Sequence, residues 1–195
     1  MKNTLTFAIC LLISVMLIAI LPTDAEAAIY DDTLRLHILA PSDSAEDQAL
    51  KLLIRDKVLE KYSAELGGVS SAEEGKETLE EKLSEIEYDC QKWCSDEGYT
   101  YNVTCTVTEE WYNTREYSNF TLPAGRYAAL RIVIGEGEGQ NWWCVMYPPL
   151  CLDAALSDAE DDYTSEETAL VSKGGYKVKF KLLEVTSAIF KEFQR

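Results

Sequence analysis

The clearest alternation in the chain lies over residues 99–108, where Tyr99, Tyr101, Val103, Cys105 and Val107 take every second place against Thr100, Asn102, Thr104, Thr106 and Thr108. Successive side chains of a strand point to opposite faces, so this period of two predicts a strand with one buried face. The same period occurs earlier: Leu34, Leu36, Ile38 and Ala40 alternate with Thr33, Arg35, His37 and Leu39 until Pro41 ends the run. Further strands are expected over 111–117 and 126–134, the latter with Ala128, Leu130, Ile132 and Ile134 on its apolar side. A last strand over 142–147 follows the loop GEGEGQN, and the two strands flanking that loop read as a long-looped hairpin.

Helical periods fill the space between the strands. Ser44 with Asp47 three residues later has capping-box spacing, and Leu50, Leu53, Ile54, Val58 and Tyr62 then recur on one face until Gly67 and Gly68. A second helix is expected from Ser70 or Ser71, with Glu73 and Glu74 at its positive end, and it carries Leu79, Leu83, Ile86, Cys90, Trp93 and Cys94 at helical spacing before Gly98 stops it. Residues 153–175 are acidic and polar and read as a loop, and 176–190 as a short strand running into a terminal helix. This order predicts an α+β fold: a mainly antiparallel sheet with helices packed on one face, in a single domain over residues 28–195.

The N-terminus has a different pattern. Lys2 is followed by an apolar run over 5–21, broken only by Thr6 and Ser14, and then by a polar stretch ending in Ala25-Glu26-Ala27. That is the layout of a signal peptide over 1–27, cut before Ala28; an uncleaved membrane anchor is the competing reading. Cys10 has no small residues before it and does not look like an acylation site. Export would place the other five of the six cysteines where disulfides persist.

Charge narrows the partners. With 34 acidic against 18 basic residues the net charge is −16, and losing the first 27 residues hardly changes it. Such a field repels nucleic acid and anionic lipid, so neither is expected as a partner, and the membrane is met only through the signal or anchor segment. A protein partner or a neutral ligand is the expectation.

Candidate chemistry concentrates in residues 135–151, GEGEGQNWWCVMYPPLC. Cys144 and Cys151 bracket a proline-stiffened loop and are disulfide candidates. Cys90 and Cys94 lie one helical turn apart, awkward for bonding each other, and either could bridge to Cys105 on the next strand. No zinc spacing is present, so no metal is expected. The glycine alternation follows a strand, as in a dinucleotide site, but leads into another strand, and Glu136 and Glu138 would repel a pyrophosphate; no cofactor is expected. Trp142 and Trp143 must face opposite sides of their strand. One belongs in the core and the other is either covered or an interface anchor, which makes Trp142, Trp143, Glu136 and Glu138 the partner-binding candidates. His37 is the only histidine. With Asp43, Glu136 and Glu138 it supplies the acid/base groups for an alternative reading as an exported cell-wall hydrolase. No nucleophile context such as G-x-S-x-G accompanies it, so a structural histidine bonded to a carbonyl or carboxylate is the plainer reading and no catalytic residue is assigned.

Two blocks carry a resemblance: LRLHILAPSDSAEDQALKLLIRDKVL over 34–59, and TREYSNFTLPAGRYAALRIVIGEGEGQNWWCVMYPPLC over 114–151. Together they resemble the stage II sporulation protein R family of endospore-forming bacteria, with one departure at Pro41, where the family pattern has Asn. The resemblance implies a signalling protein and not an enzyme, made in the forespore and exported into the space between the two membranes. There it would activate a membrane-bound aspartic protease of the mother cell, which cleaves the precursor of sigma factor E.

Overall fold

A computed structural model describes residues 2–20, 24–116 and 121–148; Cys151 and the segments expected over 153–190 lie outside them. Helix α1 (Lys2–Ile20) leaves Leu5, Phe7, Ile9, Leu11, Leu12 and Ile13 exposed, and α2 (Asp24–Asp31) contains the Ala25-Glu26-Ala27 triplet. Among the described residues no helix is long and apolar enough to cross a membrane. The described residues form two compact units. One holds α1, α2 as far as Ala28 and the described part of the segment from Tyr112 to Gly125; the other holds 29–111 and 126–148.

The larger unit begins with β1 (Leu34–Leu39), buried at every position. Helix α3 (Ala45–Leu66) follows, its first turn tied by the Asp47 amide donating to Ser44 Oγ at 3.2 Å. Leu50, Ile54, Val58 and Tyr62 are buried, as the helical period requires. The second expected helix is two: α4 (Ala72–Glu81) and α5 (Leu83–Asp96). The chain bends at Lys82 (φ −95°, ψ 2°), where no proline or glycine marks the break, and the Lys82 ammonium lies 2.6 Å from Glu65 near the end of α3. Leu79 and Ile86 are both buried, and α4 comes close enough to β1 that a Cβ on Gly75 would lie 3.2 Å from Leu34.

Strand β2 (Val103–Tyr112) absorbs the first part of the separate strand expected over 111–117 and starts four residues later than the alternation at Tyr99. Residues Arg115–Glu116 (β3) and Thr121–Leu122 (β4) make a short antiparallel pair in the smaller unit. Strands β5 (Gly125–Ile134) and β6 (Asn141–Tyr147) complete the main sheet, whose order is β2-β5-β1-β6. The architecture is the expected α+β, a mainly antiparallel sheet with helices.

One pairing differs from expectation. β5 and β6 do not form a hairpin, because β1 lies between them, parallel to β5 (Leu36 opposite Leu130) and antiparallel to β6 (Leu36 opposite Cys144). Adjacent strands lie about 4.8 Å apart, so the GEGEGQN loop must carry the chain about 10 Å across the end of β1. That distance accounts for a loop too long for a tight hairpin.

Register assigns the faces. Leu34, Leu36 and Ile38, with Leu130, Ile132 and Cys144, face a core shared with Leu50, Ile54, Tyr62, Leu79 and Ile86. Arg35, His37 and Leu39 face the other way, beside Ala129, Arg131 and Val133. The outer edge of β2 is covered by side chains of α5: Gln91 Nε2 donates to the Tyr101 carbonyl (3.0 Å), its Oε1 accepts from the Val103 amide (2.8 Å), and Glu87 accepts from the Cys105 amide (2.9 Å). An edge strand covered in this way offers no free amides to another chain there.

Candidate functional site

The loop between β5 and β6 is bound to the segment that follows β1. Gly135 and Gly137 take positive φ (62° and 68°), a conformation that costs a glycine little, and turn the chain off the end of β5. Gly139 then passes so close to the 40–44 segment that a Cβ there would stand 2.2 Å from the Ser42 carbonyl oxygen. Its amide donates to the Ala40 carbonyl (2.9 Å), and the next amide, of Gln140, donates to Asp43 Oδ1 (2.7 Å).

Beneath this crossing sits Lys51, almost fully buried, donating to the Gln140 carbonyl (2.9 Å) and to Gln48 Oε1 (2.5 Å). Burial lowers its pKa, against the attraction of Asp43. Gln48 Nε2 holds the Ser42 carbonyl (2.8 Å), and Asp47 accepts from Ser42 Oγ (2.5 Å) and from the Tyr101 hydroxyl. The expected capping box is therefore half made: Ser44 caps the helix, but Asp47 turns to Ser42 and Tyr101. Tyr99 and Tyr101, read as the start of a strand, instead stack on each other (centroids 5.8 Å apart), with Tyr101 against Gly135, which also touches Pro41. The glycines are a crossing device, followed by a strand and not by a helix that could receive a phosphate. Glu136 and Glu138 are exposed on the outer side of the crossing.

Trp142 and Trp143 take opposite faces and both are half-buried. Trp142 is in register with Ile38, packs against the core and stacks under the Arg55 guanidinium at 4.4 Å. Trp143 is opposite His37 on the other face, ring centroids 5.5 Å apart.

That second face holds the histidine. His37 Nδ1 is 2.6 Å from Glu110 Oε2, and the other carboxylate oxygen of Glu110 is 3.3 Å from Arg131 Nε. Glu110 lies 73 residues from His37 in sequence, with no motif linking the two, and only the strand order brings them together. The carboxylates proposed for a hydrolase are placed elsewhere, Asp43 on the Gln140 amide and Glu136 and Glu138 beyond the end of β5. Cys90, Cys94, Cys105 and Cys144 all lie on the helix side of the sheet, so none faces His37 as a nucleophile. Among the described residues no group of three or more His, Cys, Asp and Glu could hold a metal ion.

Cys90, Cys94 and Cys105 are free and buried. Cys94 directs its thiol at the Tyr101 carbonyl (3.8 Å), while Cys90 hydrogen-bonds Cys105. Cys144 is buried on β6, and Cys151, its expected partner, lies outside the described residues.

Residues 30–157 match the family described as stage II sporulation protein R. The chain belongs to that family. It is 35% identical over 184 residues to stage II sporulation protein R of Bacillus subtilis (strain 168), covering 82% of each chain. No solved structure matches. Membership assigns the protein a role in sporulation, and the matched stretch of this stage II sporulation protein R homologue runs through all six strands of the described residues, the crossing loop included.

Proposed function

We propose that the chain is a signal exported from the forespore into the intermembrane space, where it activates a membrane-embedded aspartic protease of the mother cell and so brings about processing of the sigma-E precursor. In this reading residues 1–27 direct export, and Cys144 pairs with Cys151. The observation that carries it is the crossing itself. The two sequence blocks that mark the family fold into one hydrogen-bonded corner, with Glu136 and Glu138 presented outward and Lys51, Gln48 and Asp47 spent on holding them there. Rigid loops that carry outward charge and no reacting group suit recognition better than catalysis. An activating ligand acts by differential affinity: it must bind the active arrangement of the protease more tightly than the inactive one.

Deleting the chain should abolish precursor processing, and Glu136→Lys with Glu138→Lys should reduce activation about tenfold with secretion and thermal unfolding unchanged, since a charge reversal at a steered interface is worth ~1.4 kcal/mol or more. Timely processing in the deletion strain would sink the proposal. His37→Ala in a chain that still folds separates the hydrolase: retained signalling removes it, whereas lost signalling revives it.

A further inference from the structure

We propose that Cys90 and Cys105 are a disulfide-forming pair that closes as the chain folds in the presence of a low-molecular-weight disulfide, pinning α5 to the edge strand β2, and that Cys94 takes no part. The inference stands on packing alone and not on the signalling role. Both thiols are buried, Cys90 at 0% and Cys105 at 3% exposure, on facing elements within one core. The backbone of Cys105 is fixed against the same helix turn, its amide bonded to Glu87 and the nearby Val103 amide to Gln91, so the helix register that puts Cys90 opposite Cys105 is set by two hydrogen bonds besides the thiol contact. The Cys90 and Cys105 side chains already interact, which brings the two sulfurs toward the bond length of about 2.05 Å. Cys94, one turn on, is turned to the Tyr101 carbonyl.

The chemistry is thiol–disulfide exchange. The thiolate of one cysteine attacks the oxidant's disulfide and releases one thiolate; the second cysteine then displaces the other thiolate from the mixed disulfide. Two protons leave the cysteines and two electrons pass to the oxidant, which becomes two thiols. The contact with Cys105 and then burial raise the Cys90 thiol far above the usual range, so in the folded protein it is a poor nucleophile and the exchange belongs to the folding chain.

The test refolds the reduced full chain with oxidised and reduced glutathione, blocks remaining thiols with iodoacetamide under denaturing conditions, and maps the peptides by mass. The expected result is a Cys90–Cys105 linked peptide with Cys94 alkylated. Alkylation of both Cys90 and Cys105, or a linkage through Cys94, overturns the proposal. Reductant should lower Tm by roughly 5–10 °C through this pair, as a loop of about 15 residues implies. Cys90→Ser with Cys105→Ser should remove that part of the sensitivity, and Cys94→Ser should leave it; an unchanged response in the double variant counts against the pair. Full chain folded first and oxidised afterwards should link far more slowly, and equal rates would contradict the burial argument.

Discussion

At the scale of single residues, two glycines separate the effects of strain and of space. Gly98 has φ 84° and nothing within 4 Å of its missing Cβ, so Gly98→Ala should cost only the left-handed conformation, about 1 kcal/mol. At Gly139 the obstacle is backbone: the Ser42 carbonyl oxygen at 2.2 Å and its carbon at 2.5 Å cannot yield as a flexible side chain would. Gly139→Ala is therefore expected to cost about 2–4 kcal/mol or to lift the loop off the 40–44 segment. Urea unfolding measures the first outcome, and faster hydrogen exchange at the Gly139 and Gln140 amides reports the second. Equal costs for the two variants would contradict the crossing geometry. His37 makes the complementary point, because its sequence neighbours Arg35, Asp43 and Asp47 are not its bonded partner, and Glu110 is.

Elements show what the hydrophobic pattern carries and what it omits. The alternation at Leu34, Leu36 and Ile38 and the helical period through Leu50, Ile54 and Val58 were legible because burial acts on each residue through its own face. Strand order was not, since the same alternation in 126–134 serves a strand beside β6 or one separated from it by β1. The bend at Lys82 left no trace either, because no proline or glycine marks it and the helical period of Leu79, Leu83 and Ile86 runs across it unbroken. A prediction follows from the lock between α3 and α5, where Asp89 accepts from Tyr62 (2.6 Å) and from Lys61. Partial burial alone would raise the Asp89 pKa, but the bonds from Lys61 and Tyr62 outweigh it and bring the pKa below 3.8. A carboxylate whose folded pKa is depressed stabilises fully above its unfolded value, and that stability is lost as pH falls through the folded one. Unfolding free energy should thus decline below about pH 4, and Asp89→Asn should cost ~1–2 kcal/mol at pH 7 while flattening that decline. Denaturant titrations from pH 2 to 7 check both. At the neighbouring edge, Gln91→Leu unbonds the Tyr101 carbonyl and the Val103 amide together; a loss of about 2 kcal/mol with new self-association, seen by light scattering, is expected.

For the whole molecule the decisive quantity is the net charge of −16. Favourable pairs such as Lys61 with Asp89 and Lys82 with Glu65 are local and few, whereas repulsion among the remaining carboxylates acts over the full surface. Added salt screens both, with a Debye length falling from about 30 Å at 0.01 M to about 3 Å at 1 M, and the longer-ranged repulsion loses more. Salt should therefore raise Tm by a few degrees. Association with the protease proposed above should have the opposite sign. If the exposed Glu136 and Glu138 steer the chain toward a basic surface, the association rate should fall steeply over the same salt range, and Glu136→Lys with Glu138→Lys should flatten that slope. Stopped-flow or biosensor association rates at several ionic strengths, set beside thermal unfolding in the same buffers, separate the two effects. A rate indifferent to salt in the native chain would move the recognition surface away from the crossing loop and leave the acidity to solubility alone.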